Sequence, residues 1–175
     1  MKLFHISEQP GIPCFPPRPA DKQTAWPNLD KEYVWAISDE MIHNYFFPRN
    51  CPRVCWMIGP ETTEEEKDRF RAHGAYRAII CVESHWQDPI AACVLYCYEF
   101  DPLHFYPVDY CAGYYVSEYP ETPLRVTKLS AIIKLLEERH VLLKFVENLE
   151  PYRKRIAGSK YRFSNIRMKY LKRLS

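Results

Sequence analysis

The chain has 175 residues, 47% of them hydrophobic and 15% aromatic, with 24 basic against 22 acidic side chains and a formal net charge of +2. A chain of this size and apolar content buries a core without staples, so residues 1–175 read as one folded domain and extensive disorder is excluded. No apolar run reaches the roughly 20 residues that a membrane-spanning helix needs, and none follows the first residues as in a secretion signal, so a cytoplasmic protein without membrane partners is expected.

The first element is the strand Lys2-Leu3-Phe4-His5-Ile6-Ser7. Residues 8–32 then hold Pro10, Pro13, Pro16, Pro17, Pro19 and Pro27. Proline removes a backbone donor and resists helix, so this stretch reads as an extended strap across a sheet, anchored by Phe15 and Trp26. The next strand covers 34–37, after which Ser38 is placed to cap a short helix, with Asp39 and Glu40 in its first turn and Pro48 at its end. A strand follows over 53–58.

Thr63-Glu64-Glu65-Glu66 fits a capping box and predicts a helix to about Ala72, stopped by Gly74. Residues 76–83 and 92–100 read as strands, the second alternating Cys93, Leu95, Cys97 and Glu99 against Val94, Tyr96, Tyr98 and Phe100. Another strand covers 113–117, and 124–126 continues it beyond a turn at Pro120 and Pro123. An apolar stripe of Leu129, Ile132, Ile133, Leu135 and Leu136 predicts a helix over 129–140, with Lys134 and Glu138 as an exposed pair. The strand 142–146, a short helix from Asn148 to Ile156 closed by Gly158, and a last strand over 161–171 complete the chain. Strands outnumber helices, which predicts an α+β fold on a mostly antiparallel, twisted sheet with a few flanking helices.

Charge is unevenly spread. From residue 151 onward there are nine Lys or Arg and no Asp or Glu, leaving fifteen basic against twenty-two acidic residues elsewhere. A basic end of this kind attracts phosphates or nucleic acid. A solvated face docked on the protein's own acidic surface is the simpler reading.

Several chemistries are excluded by what is missing. The five glycines are far apart, which rules out the glycine-rich phosphate cradles, and no Gly-x-Ser-x-Gly elbow occurs. The cysteine spacings Cys51/Cys55 and Cys93/Cys97 are not the tight pairs of a zinc site, so no metal is expected, although His85 with Glu83 and Asp88 holds the right atom types. Seven cysteines without a secretion signal read as reduced thiols; Cys81, Cys93 and Cys97 are expected in the core, and Cys51 stands out as a loop thiol.

The residues left for function are polar or aromatic groups in otherwise apolar strands. His5 offers a donor to a ligand hydroxyl, or is a satisfied core histidine. Trp35 offers a wall for a planar ring, or is core. Two strands bearing these rings would form the walls of one cleft. Arg49 and Arg53 present planar forks suited to phosphate or carboxylate, or are surface charge. Ser7, Tyr45 and Tyr115 complete the expected ligand-binding set. Glu83, Glu99 and Glu118 are the candidate catalytic acids, since a carboxylate within or beside a strand needs a partner or shifts its proton affinity.

Leu3-Phe4-His5-Ile6-Ser7-Glu8, Val34-Trp35-Ala36-Ile37, Tyr45-Phe46-Phe47-Pro48-Arg49, Cys51-Pro52-Arg53-Val54, Tyr114-Tyr115-Val116-Ser117 and Phe163-Ser164-Asn165-Ile166-Arg167 together resemble a family of uncharacterised bacterial proteins from Bacillus-like organisms. At a greater distance, a strand with a histidine followed by a strand with an aromatic and a helix with a tyrosine resembles the start of ADP-ribosyltransferase folds. That resemblance implies NAD as the ligand, His5 on a ribose hydroxyl and Trp35 on the nicotinamide. It also implies a later glutamate near Gly113 or Tyr114, neither of which is acidic, with Glu118 displaced along the chain. A carboxylate is the usual stabiliser of the charge that develops on the sugar, so its displacement implies nucleotide binding without turnover. An NAD-using transferase and a nucleic-acid or partner-binding module are the two alternatives.

Overall fold

A computed structural model describes residues 1–19 and 29–171; Trp26, Lys172 and Arg173 lie outside the described residues. The chain gathers into two compact units, one built from Met1–Tyr45 and Leu95–Leu129, the other from Phe46–Val94 and Ser130–Ser175.

The first unit is an antiparallel sheet. Its strands are β1 (Leu3–Ser7), β2 (Arg18–Pro19), β3 (Glu32–Ser38), β6 (Leu95–Phe100), β7 (Tyr106–Asp109), β8 (Tyr114–Ser117) and β9 (Arg125–Leu129). The order is β7-β8-β3-β1-β6-β9, with β2 added on β3. The core forms on one face, where Leu3, Val34, Ala36, Tyr98, Phe100 and Tyr115 pack beneath Phe15 and Phe105. Phe15 is the strap's anchor. Its ring meets Tyr98 and Phe100 edge-on at 5.0 and 5.2 Å, and its backbone exchanges hydrogen bonds with Glu121. The Tyr98 hydroxyl also donates to the Gln9 carbonyl at 2.7 Å and accepts from the Ile12 amide.

The second unit holds β4 (Arg53–Met57), β5 (Ala78–Glu83), β10 (Val141–Val146) and β11 (Arg162–Ile166) in the order β10-β5-β4-β11. β10 and β5 run parallel; the other pairs are antiparallel. Every residue of β5 is buried, as expected of a strand covered on both faces. Helices α1 (Glu64–Arg71), α2 (Gln87–Ala92), α3 (Ile132–Glu138) and α4 (Glu150–Ala157) flank this sheet. Phe70 of α1 and Ile156 of α4 join Val54, Trp56, Ile79 and Cys81 in its core. The α+β class with mostly antiparallel sheets is therefore as expected.

Local signals fared unevenly. The capping box at Thr63 forms with both its bonds. Asn148 Oδ1 accepts the Glu150 amide at 2.9 Å at the start of α4. The segment after Ser38 is a single 3-10 turn (Ile42–Tyr45), not an α-helix. The Ser38 amide donates to the Gly113 carbonyl at 2.9 Å, which holds Ser38 in the sheet. Leu129 pairs with Leu95 as the last residue of β9, so the helix expected from 129 begins only at Ile132. The last strand stops at Ile166 and gives way to a 3-10 turn (Met168–Tyr170).

Candidate functional site

The expected cleft sits where β1 meets β3, and the ladder there is short. β1 pairs with β6 along all five residues and β3 pairs with β8 over four, yet β1 and β3 pair only at Leu3↔Ser38 and Phe4↔Ile37. Because Ser38 donates toward β8, strand alternation turns the backbone groups of Ile37, Trp35 and Tyr33 toward β1. In an unbroken ladder Ile6 would answer Trp35. Instead His5 Nδ1 lies 3.0 Å from the Trp35 carbonyl. A carbonyl only accepts, so Nδ1 carries the proton and donates. Two residues along, Arg18 of β2 takes Tyr33. His5 thus stands in for a missing ladder bond.

The same register separates the two rings. Directly opposed residues share a face, and faces alternate along a strand. His5 therefore lies on the face of Leu3, Ala36 and Ser38, and its ring packs 4.9 Å from Phe15. Trp35 lies on the opposite face with Phe4 and Ile37, its ring 6.2 Å from Tyr114. The shared His–Trp cleft expected from the sequence is not formed. Tyr45 gathers with the indole side, its hydroxyl donating to that of Tyr114 at 2.7 Å. Ser7 and Tyr115 lie on the imidazole side; Ser7 Oγ accepts the Gln9 amide at 3.1 Å, and Tyr115 is buried in the core.

Arg49 and Arg53 belong to the second unit. Arg49 is exposed. Arg53 is only 3% exposed, donates from Nη1 to the Cys51 carbonyl at 2.8 Å and lies over the Phe47 ring, so it is a buried cation and not surface charge. Cys51 is buried too. Burial pushes its thiol up to about 12, which removes it as a reactive loop thiol.

The three candidate acids differ in their surroundings. Glu99 pairs with Lys2 and Arg125, each at 3.1 Å. Glu118 binds Lys31 at 2.7 Å and accepts from the Tyr106 hydroxyl at 3.1 Å; the lysine holds its carboxyl below the usual range. Glu83 ends β5 in the second unit and is 5% exposed.

A fourth acid escaped the sequence reading. Glu121 is 6% exposed, and its Oε1 accepts the Ser117 hydroxyl at 2.6 Å. His104 Nδ1 lies 3.3 Å from the same oxygen. Ser117 opposes Val34, which puts it on the imidazole face. Glu121 is fixed there by its backbone exchange with Phe15, the residue whose ring touches His5. His104 sits at the end of the 3-10 turn Pro102–His104, about half-exposed, its ring 5.2 Å from the exposed Tyr119. No local signal marks Glu121, because Tyr119-Pro120-Glu121-Thr122-Pro123 has the composition of a solvated turn.

The chemistry of this group is simple. A buried carboxylate needs donors. One is supplied by Ser117, and an imidazole stands beside it. With Nδ1 toward the carboxylate, His104 presents Nε2 on the other side of its ring. Such a pair recognises hydroxyl or N–H donors.

The first unit is thus an antiparallel sheet with a strapped face, carrying a buried carboxylate beside a half-exposed imidazole. The chain belongs to a family of unknown function, DUF6886, whose model matches residues 4–171. No curated protein and no solved structure gave a match. Among the described residues, no helix is long and apolar enough to cross a membrane.

Proposed function

We propose that the first unit binds a small nucleotide-type ligand, NAD among the compounds to test, at the His104–Glu121 end of its strapped face, and does so without turnover. The observation that carries this reading is the Glu121 carboxylate, 6% exposed yet beside a half-exposed imidazole and an exposed tyrosine ring. The hydroxyls of a ribose suit the carboxylate and imidazole, and a planar base suits Tyr119. A bacterial origin and the distant resemblance to ADP-ribosyltransferase folds are both part of this proposal. Against turnover stands the register: His5 Nδ1 is engaged by a backbone carbonyl and Trp35 is on the other face, so the two groups assigned to NAD do not meet it together. A cytoplasmic setting also belongs to this reading, in keeping with seven cysteines that form no disulfide.

Thermal unfolding in NAD or adenosine tests the proposal. A ligand at 100 times its dissociation constant stabilises by about 2.7 kcal/mol. Wild type is expected to shift upward, Glu121→Gln and His104→Ala to lose most of the shift, and no nicotinamide to appear. Unchanged unfolding at millimolar NAD and adenosine overturns the reading; released nicotinamide moves it to the transferase alternative. Nucleic-acid binding through the basic end has less support, since Glu150 takes both Arg153 at 2.6 Å and Lys154 at 3.8 Å. Binding that weakens with added salt and with loss of Arg153, Lys154 and Arg155 would restore that alternative.

A further inference from the structure

A second pair of polar groups lies in the other unit. Glu83 ends β5, and the 3-10 turn Ser84–Trp86 follows directly. Among the described residues, Glu83 Oε2 and Trp86 Nε1 are both buried with no hydrogen-bond partner. The His85 ring neighbours both, its centroid 5.7 Å from that of the Trp86 ring and its Nδ1 beside Glu83 Oε2. One is an acceptor and the other a donor, and burying either without a partner is unfavourable. His85 Nδ1 is 3.8 Å from Glu83 Oε2, beyond hydrogen-bond reach, and its ring is about half-exposed. The site is also at the carboxyl end of a strand in a parallel pair, since Glu83 stands opposite Val146 of β10.

We propose that this turn binds a small ligand through a neutral group that donates and accepts at once, such as a primary carboxamide or a hydroxyl. The group donates to Glu83 Oε2 and accepts from Trp86 Nε1–H. An ammonium could satisfy only the glutamate, and a carboxylate only the indole.

Acetamide and N,N-dimethylacetamide separate the outcomes, because the second accepts but cannot donate. The indole N–H resonance of Trp86, assigned by loss in Trp86→Phe, is followed by NMR during titration of the full chain. Acetamide is expected to move it saturably and dimethylacetamide to leave it in place. Glu83→Gln, nearly isosteric, is expected to weaken acetamide at least tenfold, while Glu99→Gln leaves it unchanged. An indole that ignores acetamide, as it would if the turn simply holds a resident water, overturns the proposal. So does an indole that follows both compounds alike, or equal binding by Glu83→Gln.

Discussion

Replacing His5 by alanine removes the bond that closes the gap between β1 and β3. The Trp35 carbonyl loses the Nδ1 donor 3.0 Å away. Losing a hydrogen bond of this kind costs about 0.5–1.5 kcal/mol net. The ring also packs 4.9 Å from Phe15, and aromatic contacts of this kind contribute about 0.5–1.5 kcal/mol beyond area burial. Together these predict a loss of about 1–3 kcal/mol, a sizeable share of the 5–15 kcal/mol typical of a domain. The assay is urea unfolding, reading the midpoint at constant slope. His5→Asn is the informative companion, because its side-chain N–H lies near the position of Nδ1; it should recover the hydrogen-bond part and not the ring packing. A loss below about 0.5 kcal/mol in His5→Ala, or equal losses in both variants, would refute a structural role for this histidine.

Gly113→Ala should cost about 2–5 kcal/mol in the same assay: φ is +73°, and an added Cβ would come 2.5 Å from Ser38 Oγ and 2.7 Å from Met41 Cγ; a cost under 1 kcal/mol would contradict the packing. Native protein at pH 8 should react quickly with a thiol reagent at the exposed Cys14 and Cys111, and only after unfolding at Cys51, Cys55 and Cys81, whose thiols burial pushes up to about 12. His73 should titrate below its ordinary value, since burial first, then Lys144 and Arg155, disfavour its charged form. The folded state then binds fewer protons than the unfolded state, so this residue's contribution to stability rises as pH increases through the histidine range; NMR titration of the ring checks the direction. One cooperative urea transition, coincident by fluorescence and circular dichroism, is expected if residues 1–175 fold as a single domain, and two separated transitions would assign each unit its own stability.

What could be read from the sequence were features set by neighbours in the chain. The Thr63 capping box, the alternation along β6 and the Phe15 anchor need only local spacing. What escaped depends on partners far away. Leu129 fits a helical stripe, yet cross-strand pairing with Leu95 claims it for β9. The short helix Gln87–Ala92 contains Pro89 in its first turn and lies between two strand-like runs, so its periodicity is too brief to register. The His5–Trp35 separation follows from one register, Phe4 opposite Ile37, and a slip of one residue would have put both rings on one face. Cys51 looks like a loop thiol in sequence and Arg53 like surface charge, and both are buried in the fold. Glu121 is the clearest case, because its burial comes from Phe15 and Ser117, and nothing in its own turn announces it.

The most direct test is an NMR titration of the full chain with NAD and adenosine that follows the ring resonances of His104 and Tyr119. Saturable shifts at both rings, abolished by Glu121→Gln, are the predicted result. Shifts at Trp35 and Tyr45 alone would contradict it, since those rings stand on the sheet face opposite His5.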